Sequence, residues 1–251
     1  MMVRRWVAAL ALSGALPVGV AAQVGASATP LPRLERVGDK HLLQVDGQPF
    51  LMLGAQANNS SNYPAVLPQV WPMMARLNAN TLEIPVAWEQ VEPVEGQFDF
   101  SYLQALVDGA RARNLRVVLL WFATWKNTGP GYAPAWVKTD TARFPRMQTP
   151  EGTAHYVLSP HGRGTLEADK RAFVQVMTWL RDNDPGHTVI MVQPQNEVGA
   201  YGQPRDRSAE ADRLFAGAVP AELAARTGRS GSWGEVFGAL ADNAFNAWHT
   251  A

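Results

Sequence analysis

The feature that most restricts the fold of this chain is a set of four short apolar runs that alternate with segments of helical periodicity. The runs lie at 50–53, 79–88, 115–124 and 187–195. They are continuously apolar, which is typical of parallel strands buried on both faces of a sheet. The intervening segments place apolar residues three and four positions apart, as amphipathic helices do. This order predicts an α/β fold with a parallel sheet.

Local signals refine this prediction. A turn at Asp46-Gly47 joins two short strands, the second of which leads into the 50–53 run. Helices are expected at 65–78, 101–114, 166–183 and 232–251. Those at 101 and 232 each begin with a capping box, Ser101 with Gln104 and Ser232 with Glu235. The segment between Trp125 and Gly164 is expected to be a loop of roughly forty residues.

The placement of the long loops favours one α/β architecture. Long polar and aromatic loops follow the predicted strands, whereas the loops after helices are short, as in a (β/α)8 TIM barrel. No Gly-x-Gly-x-x-Gly motif follows the first strand, which counts against a dinucleotide-binding sheet. Only four βα units are recognisable. We therefore expect residues 29–251 to be the amino-terminal part of a barrel, truncated after about four units; a doubly wound sheet with few strands is the alternative.

The first 28 residues have the features of an export signal. Arg4 and Arg5 precede a short apolar stretch, and small residues suit cleavage after Ala22 or Ala28. The stretch is too short to span a bilayer as a mature helix. The chain has no cysteine, so neither a lipid-anchoring cysteine nor a disulfide is possible. We expect an exported protein, periplasmic or extracellular, without a membrane anchor in the mature chain.

Charge and motif content exclude several classes of function. Lys and Arg together number 22, as do Asp and Glu, so the net charge of zero gives no reason to expect nucleic acid as a partner. The five histidines are scattered, without the spacing of a metal site. No glycine-rich phosphate loop is present. We expect no metal and no cofactor.

Side chains suited to a neutral, polyhydroxylated ligand follow the predicted strands. Amides both donate to and accept from hydroxyl groups, and an indole face can cover a sugar ring. Glycoside hydrolysis also requires two carboxyl groups around the scissile bond. An Asn-Glu pair after the fourth strand needs an irregular backbone, which Pro194 and Gly199 could supply. The candidate binding residues are Gln56, Asn58, Trp88, Trp125, Asn196 and Tyr201, and the candidate catalytic residue is Glu197.

Two of these stretches resemble a known class of enzyme. The sequence PQNEVGAYG (194–202) resembles the Asn-Glu motif of retaining TIM-barrel glycosidases. LEIPVAWEQVEPVEGQFDFSYL (82–103) resembles the second-strand region of family 35 and family 42 β-galactosidases. With GAQANNSSNYP (54–64) and LWFATWKN (120–127), the best match is a bacterial branch of family 35.

The resemblance implies specific roles. Glu197 would be the acid/base of a retaining double displacement, and Asn196 a ligand of the sugar. The substrate would be a β-galactoside oligosaccharide or a plant or bacterial polysaccharide fragment. The family nucleophile, a glutamate after the seventh strand, would lie beyond residue 251. The third-strand end lacks the sugar-binding Glu of better-known members. A non-catalytic carbohydrate-binding fragment or remnant of such an enzyme is the alternative.

Three other charged residues near the strand ends are expected to have no catalytic or binding role. Glu89 and Glu92 are expected to be structural, because Glu92 precedes a proline and begins a turn. Lys126 is expected to be a solvated loop charge.

Overall fold

The computed structural model describes residues 29–127 and 129–250, so the predicted export signal lies outside the described residues. The strands are β1 (Arg33–Val37), β2 (Lys40–Val45), β3 (Gln48–Pro49), β4 (Gly54–Gln56), β5 (Thr81–Ala87), β6 (Arg116–Phe122), β7 (Arg146–Gln148), β8 (Ala154–Leu158) and β9 (Val189–Gln193). The helices are α1 (Leu67–Arg76), α2 (Trp88–Val91), α3 (Ser101–Arg111), α4 (Ala135–Thr139), α5 (Arg163–Asn183), α6 (Ala209–Ala216), α7 (Ala221–Thr227), α8 (Trp233–Phe237) and α9 (Ala241–Thr250).

The predicted parallel sheet is present. Its strands lie in the order β4-β5-β6-β9, and every neighbouring pair is parallel. The α/β class is therefore confirmed. The described residues supply four parallel strands, and their closure into an eight-stranded barrel stays a prediction.

Strand β6 shows why the apolar runs are continuous. Its alternate residues pack into two separate clusters, one on each face of the sheet. Val117, Leu119 and Trp121 join the large core beneath the helices. Val118, Leu120 and Phe122 pack on the opposite face. A strand buried on both faces has no position that favours a polar side chain, so the sequence does not alternate.

The amino-terminal turn forms as predicted, but the first parallel strand begins later than expected. Asp46 and Gly47 both have positive φ, 54° and 73°, as a tight hairpin turn requires. Strands β1, β2 and β3 form a separate antiparallel sheet. The 50–53 run is not a strand, and Leu51 is 77% exposed. Its apolar character indicated a strand, but pairing with β5 starts only at Gly54.

Helices α1 and α3 cover one face of the sheet. The predicted stripe of α3 is confirmed, with all five members buried: Tyr102, Leu103, Leu106, Val107 and Ala110. Its predicted capping box is wrong. The Asp99 carboxylate accepts the hydrogen bond from the Ser101 N–H at 2.8 Å, and the Gln104 amide turns forward to donate to Asp108. That N–H lowers the pKa of Asp99 below its usual range.

The long segment before α5 is not the structureless loop expected from its proline and glycine content. It contains helix α4 and an antiparallel hairpin formed by β7 and β8. Met147 and Val157, one from each hairpin strand, are buried against Trp125. A short hairpin has too few residues to show a reliable period-two pattern, and its stability comes from this long-range contact.

The last predicted helix is interrupted. The Ser232/Glu235 capping box is confirmed at the start of α8, but α8 ends after five residues. Gly238 adopts φ 55°, and a 3-10 turn separates α8 from α9. Two further helices, α6 and α7, lie between β9 and α8, where no helix was predicted. Trp233 and Phe245 form the centre of a second hydrophobic cluster.

Candidate active site

The candidate site lies where β6 and β9 end, because the carboxyl ends of parallel strands meet at one edge of a sheet. Strand β6 ends at Phe122 and β9 at Gln193. The segments that follow, 123–127 and 194–199, come together there. The backbone N–H of Asn196 donates to the Trp125 carbonyl at 3.3 Å. The backbone N–H of Trp125 donates to the side-chain Oε1 of Gln195 at 3.0 Å.

The backbone after β9 is irregular, as the Asn-Glu pair requires. Gln195 has φ 112°, Glu197 has φ 52° and Gly199 has φ 116°. The expected role of Gly199 is thus confirmed. Pro194, which was also expected to supply the irregular backbone, does not do so. The other residues with positive φ in this turn are Gln195 and Glu197, which are not glycines. Such conformations cost on the order of 1–3 kcal/mol each, and they persist only where neighbouring contacts hold them.

Asp169 on α5 supplies contacts of this kind. The residue is 6% exposed, and its carboxylate accepts from four uncharged donors. The Trp121 indole N–H lies 2.8 Å from Oδ1, and the Gln195 side-chain N–H lies 2.6 Å from Oδ2. The backbone N–H of Thr124 at 3.2 Å and the Thr124 hydroxyl also donate to Oδ2. One carboxylate therefore ties helix α5 to both strand ends.

Lys126 fixes the side chain of Asn196. The Lys126 Nζ donates to the Asn196 Oδ1 at 2.7 Å and lies 4.6 Å from the centre of the Phe122 ring. An ammonium group can only donate, so it selects the amide oxygen and leaves the Asn196 NH2 group facing elsewhere. The interpretation of Lys126 as a solvated loop charge is wrong, because it is half-buried and bonded to the candidate sugar ligand.

Glu197 is exposed and lies next to this arrangement. Its backbone has positive φ, 52°, just past the end of β9. Within the described ranges, its carboxylate has no hydrogen-bond or ion-pair partner. This differs from a structural role, in which a cation or backbone N–H groups would hold the carboxylate.

The two candidate tryptophans differ. Trp125 adjoins Asn196 through the backbone, and its ring packs against Met147 and Val157 with 6% of the residue exposed. Trp88 is fully buried. Its indole N–H donates to the Glu92 Oε2 at 2.8 Å, and its ring meets Trp136 edge-on. The expectation that Trp88 contacts a sugar does not fit this position, because neither ring face is accessible.

The acidic residues expected to be structural do have structural partners. Glu92 is fully buried. Its Oε1 accepts from the Gly96 N–H at 2.8 Å, and the Arg171 guanidinium lies 3.3 Å away. Glu89 forms an ion pair with Lys138 at 3.0 Å. Neither carboxylate is a free group at the strand ends.

The remaining candidates lie apart from the Asn196-Glu197 pair. Gln56 is exposed at the end of β4, three strand positions from β9 and on the order of 14 Å away across the sheet. Asn58 caps a 3-10 turn, since its Oδ1 accepts from the Ser60 N–H and hydroxyl, both at 3.1 Å. Tyr201 is 70% exposed, in a turn after the site.

Sequence reasoning missed Asp169 and the role of Gln195. A signal for Asp169 is present: it lies within the buried stripe of α5, between Ala168 and Ala172. An acid at a buried helical position requires nearby donors, but the pattern cannot say which strand provides them. In the described part of the chain, no three acidic or histidine side chains are grouped to hold a metal ion, and no helix there is long and apolar enough to cross a membrane.

Comparisons with known proteins identify the family of the chain. Residues 63–211, more than half of the chain, match the model of glycoside hydrolase family 42, described as β-galactosidase. A β-galactosidase of Xanthomonas manihotis is 31% identical over 163 residues, which cover 62% of this chain and 25% of that protein. The chain thus spans about a quarter of the length of this relative.

Solved structures share the fold. A β-galactosidase from the haloarchaeon Halorubrum lacusprofundi superposes with a TM-score of 0.51 at 18% identity, over 70% of this chain and 25% of that one. A β-galactosidase from the psychrophilic Marinomonas ef1 gives 0.51 at 16%, over 71% and 26%. The expected family 35 is not confirmed, because the matching model is that of family 42. The β-galactosidase-like identification itself is confirmed: the chain belongs to glycoside hydrolase family 42, the β-galactosidase family.

Proposed function

We propose that this chain forms the amino-terminal part of a TIM-barrel catalytic domain that hydrolyses terminal β-galactosides with retention of configuration. The observation that carries the proposal is the Asn196-Glu197 pair at the end of β9, with the amide oriented by Lys126 and the carboxylate free. Family membership supports the glycosidase class. The substrate is proposed to be a β-galactoside oligosaccharide or a polysaccharide fragment.

In the proposed mechanism, Glu197 first acts as the general acid. It protonates the glycosidic oxygen as a second carboxylate attacks the anomeric carbon. The leaving group departs, and a glycosyl-enzyme ester remains. Glu197 then removes a proton from water, which attacks the anomeric carbon and releases the sugar and the nucleophile. The NH2 group of Asn196 donates to a sugar hydroxyl.

The nucleophile is proposed to come from outside residues 1–251. Glu210, Glu222 and Glu235 lie on helices rather than after parallel strands. Glu210 is paired with Arg213, and Glu235 accepts from Ser232. In a retaining enzyme the two carboxyl groups must lie about 5–5.5 Å apart. Export to the periplasm or the cell exterior is also part of the proposal, based on residues 1–28.

The intact mass of the protein isolated from its source tests the chain's extent. A mass well above 27.4 kDa would support a nucleophile in a further segment. A mass at or just below this value, together with Glu197-dependent turnover, would contradict it. The same mass without turnover would favour a carbohydrate-binding remnant over an enzyme.

The role of Glu197 is tested on that natural product with two aryl β-galactosides. Glu197→Ala should reduce hydrolysis of a substrate with a poor leaving group by roughly 10²–10⁴-fold. A dinitrophenyl leaving group needs no protonation, so its first step should be nearly unaffected. Azide should then restore turnover and yield β-galactosyl azide. The control is Glu210→Gln, a surface acid on α6. Equal losses with both substrates and no azide product would rule out the acid/base role.

A further inference from the structure

The carboxylate of Asp169 lies at the junction of the three elements that form the candidate site. It lies on α5, buried against the ends of β6 and β9. Its four donors come from Trp121, Thr124 and Gln195, which are 45 to 48 residues before it and 26 residues after it in the chain. These contacts join three elements at one point, next to the Asn196-Glu197 pair.

We propose that Asp169 is the positioning residue of this site: it holds Gln195 in its left-handed conformation and thereby sets the directions of Asn196 and Glu197. The inference rests on the proposed function of that pair. Asp169 makes no contact with Asn196 or Glu197 itself, so its effect is transmitted through Gln195.

The side chain of Gln195 is held at both of its polar atoms. Its Nε2 donates to Asp169 at 2.6 Å, and its Oε1 accepts from the Trp125 N–H at 3.0 Å. With the amide fixed at both ends, the Gln195 backbone retains φ 112°, a conformation that a non-glycine residue otherwise leaves. The next two residues are the candidate ligand and acid/base, so this backbone angle determines their orientation.

A carboxylate suits this position better than other acceptors. Its two oxygens provide about four lone-pair sites, and here four donors use them. An asparagine would replace one oxygen by an NH2 group and place donor against donor. No cation of the described residues forms an ion pair with Asp169, so its charge is stabilised by these neutral donors alone. The full set of donors must therefore stay in place, which makes the junction rigid.

Asp206 provides a matched control. It is fully buried and also accepts from four uncharged donors: the Gln148 N–H, the Ser208 N–H, the Ser159 hydroxyl and the Ser208 hydroxyl. None of these belongs to the Gln195–Glu197 turn. Asp169→Asn and Asp206→Asn thus remove the same kind of group from two different places.

The experiment compares both variants, made in the natural protein whose intact mass has been determined, by two measurements: ¹H–¹⁵N NMR spectra and titration with D-galactose. Asp169→Asn should shift the backbone amide resonances of Asn196 and Glu197. It should also weaken galactose binding about 2- to 30-fold, the range expected for a residue that acts on a binding site through a neighbour. Asp206→Asn should lower the melting temperature but leave those resonances and the affinity unchanged.

Each other outcome has a definite meaning. Unchanged Asn196 and Glu197 resonances in Asp169→Asn, or equal effects in the two variants, would overturn the inference. If Asp169→Asn fails to fold, Gln195→Met, which keeps the carboxylate, should produce the same shifts, and their absence would overturn it. If the unmodified chain does not bind galactose, the proposed function loses its support, while the resonances alone still decide the role of Asp169.

Discussion

Lys126 and Asn196 are 70 residues apart in the chain, yet the lysine Nζ lies 2.7 Å from the asparagine Oδ1. This contact joins the ends of β6 and β9 and determines which end of the amide is free. A lysine cannot accept a hydrogen bond, so the opposite orientation of the amide would place two donor groups together. The residue that binds the sugar in our proposal is therefore oriented by a neighbour.

Replacing Lys126 should weaken sugar binding through this contact. In Lys126→Met the aliphatic stem remains, but the Asn196 amide is free to rotate, so we expect the affinity for D-galactose to fall about tenfold. Titration calorimetry measures the change. Lys40→Met, which removes an exposed charge from strand β2, is the control. An affinity for galactose that is unaltered in Lys126→Met would contradict the role of this lysine.

Trp88 should affect stability but not sugar binding. Trp88→Phe removes the indole N–H from the buried Glu92 Oε2 and leaves a carboxylate oxygen without that donor. We expect the free energy of unfolding to fall by about 1–3 kcal/mol, measured by urea denaturation. Galactose affinity, measured under conditions in which the variant is folded, should stay the same. A selective loss of affinity would show that Trp88 does contact the sugar.

The packing of α1 on α3 depends on the absence of a side chain at Gly109. A Cβ atom there would lie 2.6 Å from the Trp71 ring, so Gly109→Ala should destabilise the fold by about 1–3 kcal/mol. Gly234 on α8 offers a control, since a Cβ there meets nothing within 4 Å. Gly234→Ala should raise the stability by roughly 0.5–1 kcal/mol. Equal changes in thermal unfolding for the two substitutions would refute the steric argument.

The carboxyl-terminal cluster should lose stability in mild acid. The His161 ring lies 5.3 Å from the Phe245 ring and 5.0 Å from the His249 ring, centre to centre. Burial, with a smaller effect of His249, lowers the pKa of His161, and burial lowers that of His249. Asp206 and Glu210 oppose the shift at His161. As the pH falls, these histidines are protonated in the unfolded chain before they are protonated in the folded chain. The free energy of unfolding is therefore highest above about pH 6.5, and it decreases as the pH falls toward the lowered pKa values of the folded state.

Thermal unfolding between pH 7.5 and 5 measures this loss. His161→Phe keeps an aromatic ring on Phe245 without a titratable group, so its melting temperature should vary less with pH than that of the unmodified chain. His41→Phe, a change in the exposed part of β2, should leave the pH dependence as it is. A decline equally steep in His161→Phe would exclude His161 as its source.

The sequence by itself determined the main strands of the parallel sheet, the helices between them and their order. Continuous apolar runs specified the parallel strands β5, β6 and β9. In β5 and β6 they reflect burial on both faces, which leaves no polar side, whereas in β9 only Ile190 is buried. The period of 3.6 specified α1, α3 and α5. It also located Asn196 and Glu197 just past a strand, where parallel topology brings side chains to one edge. These signals are local, so they can be recognised without knowing which residues lie nearby in the fold.

Only the tertiary structure decided what the residues at that edge do. Trp88 and Trp125 follow strands in similar contexts, but Trp88 is enclosed by Trp136 and Glu92, whereas Trp125 joins the site. In the sequence, Asp169 is one acidic residue of a predicted helix. Its hydrogen-bond donors are evident only in the fold, where the ends of β6 and β9 lie next to it. Each of these environments is built by residues distant in sequence. A local pattern records the chemistry of a side chain but not the partners that folding places around it, and those partners determine its role.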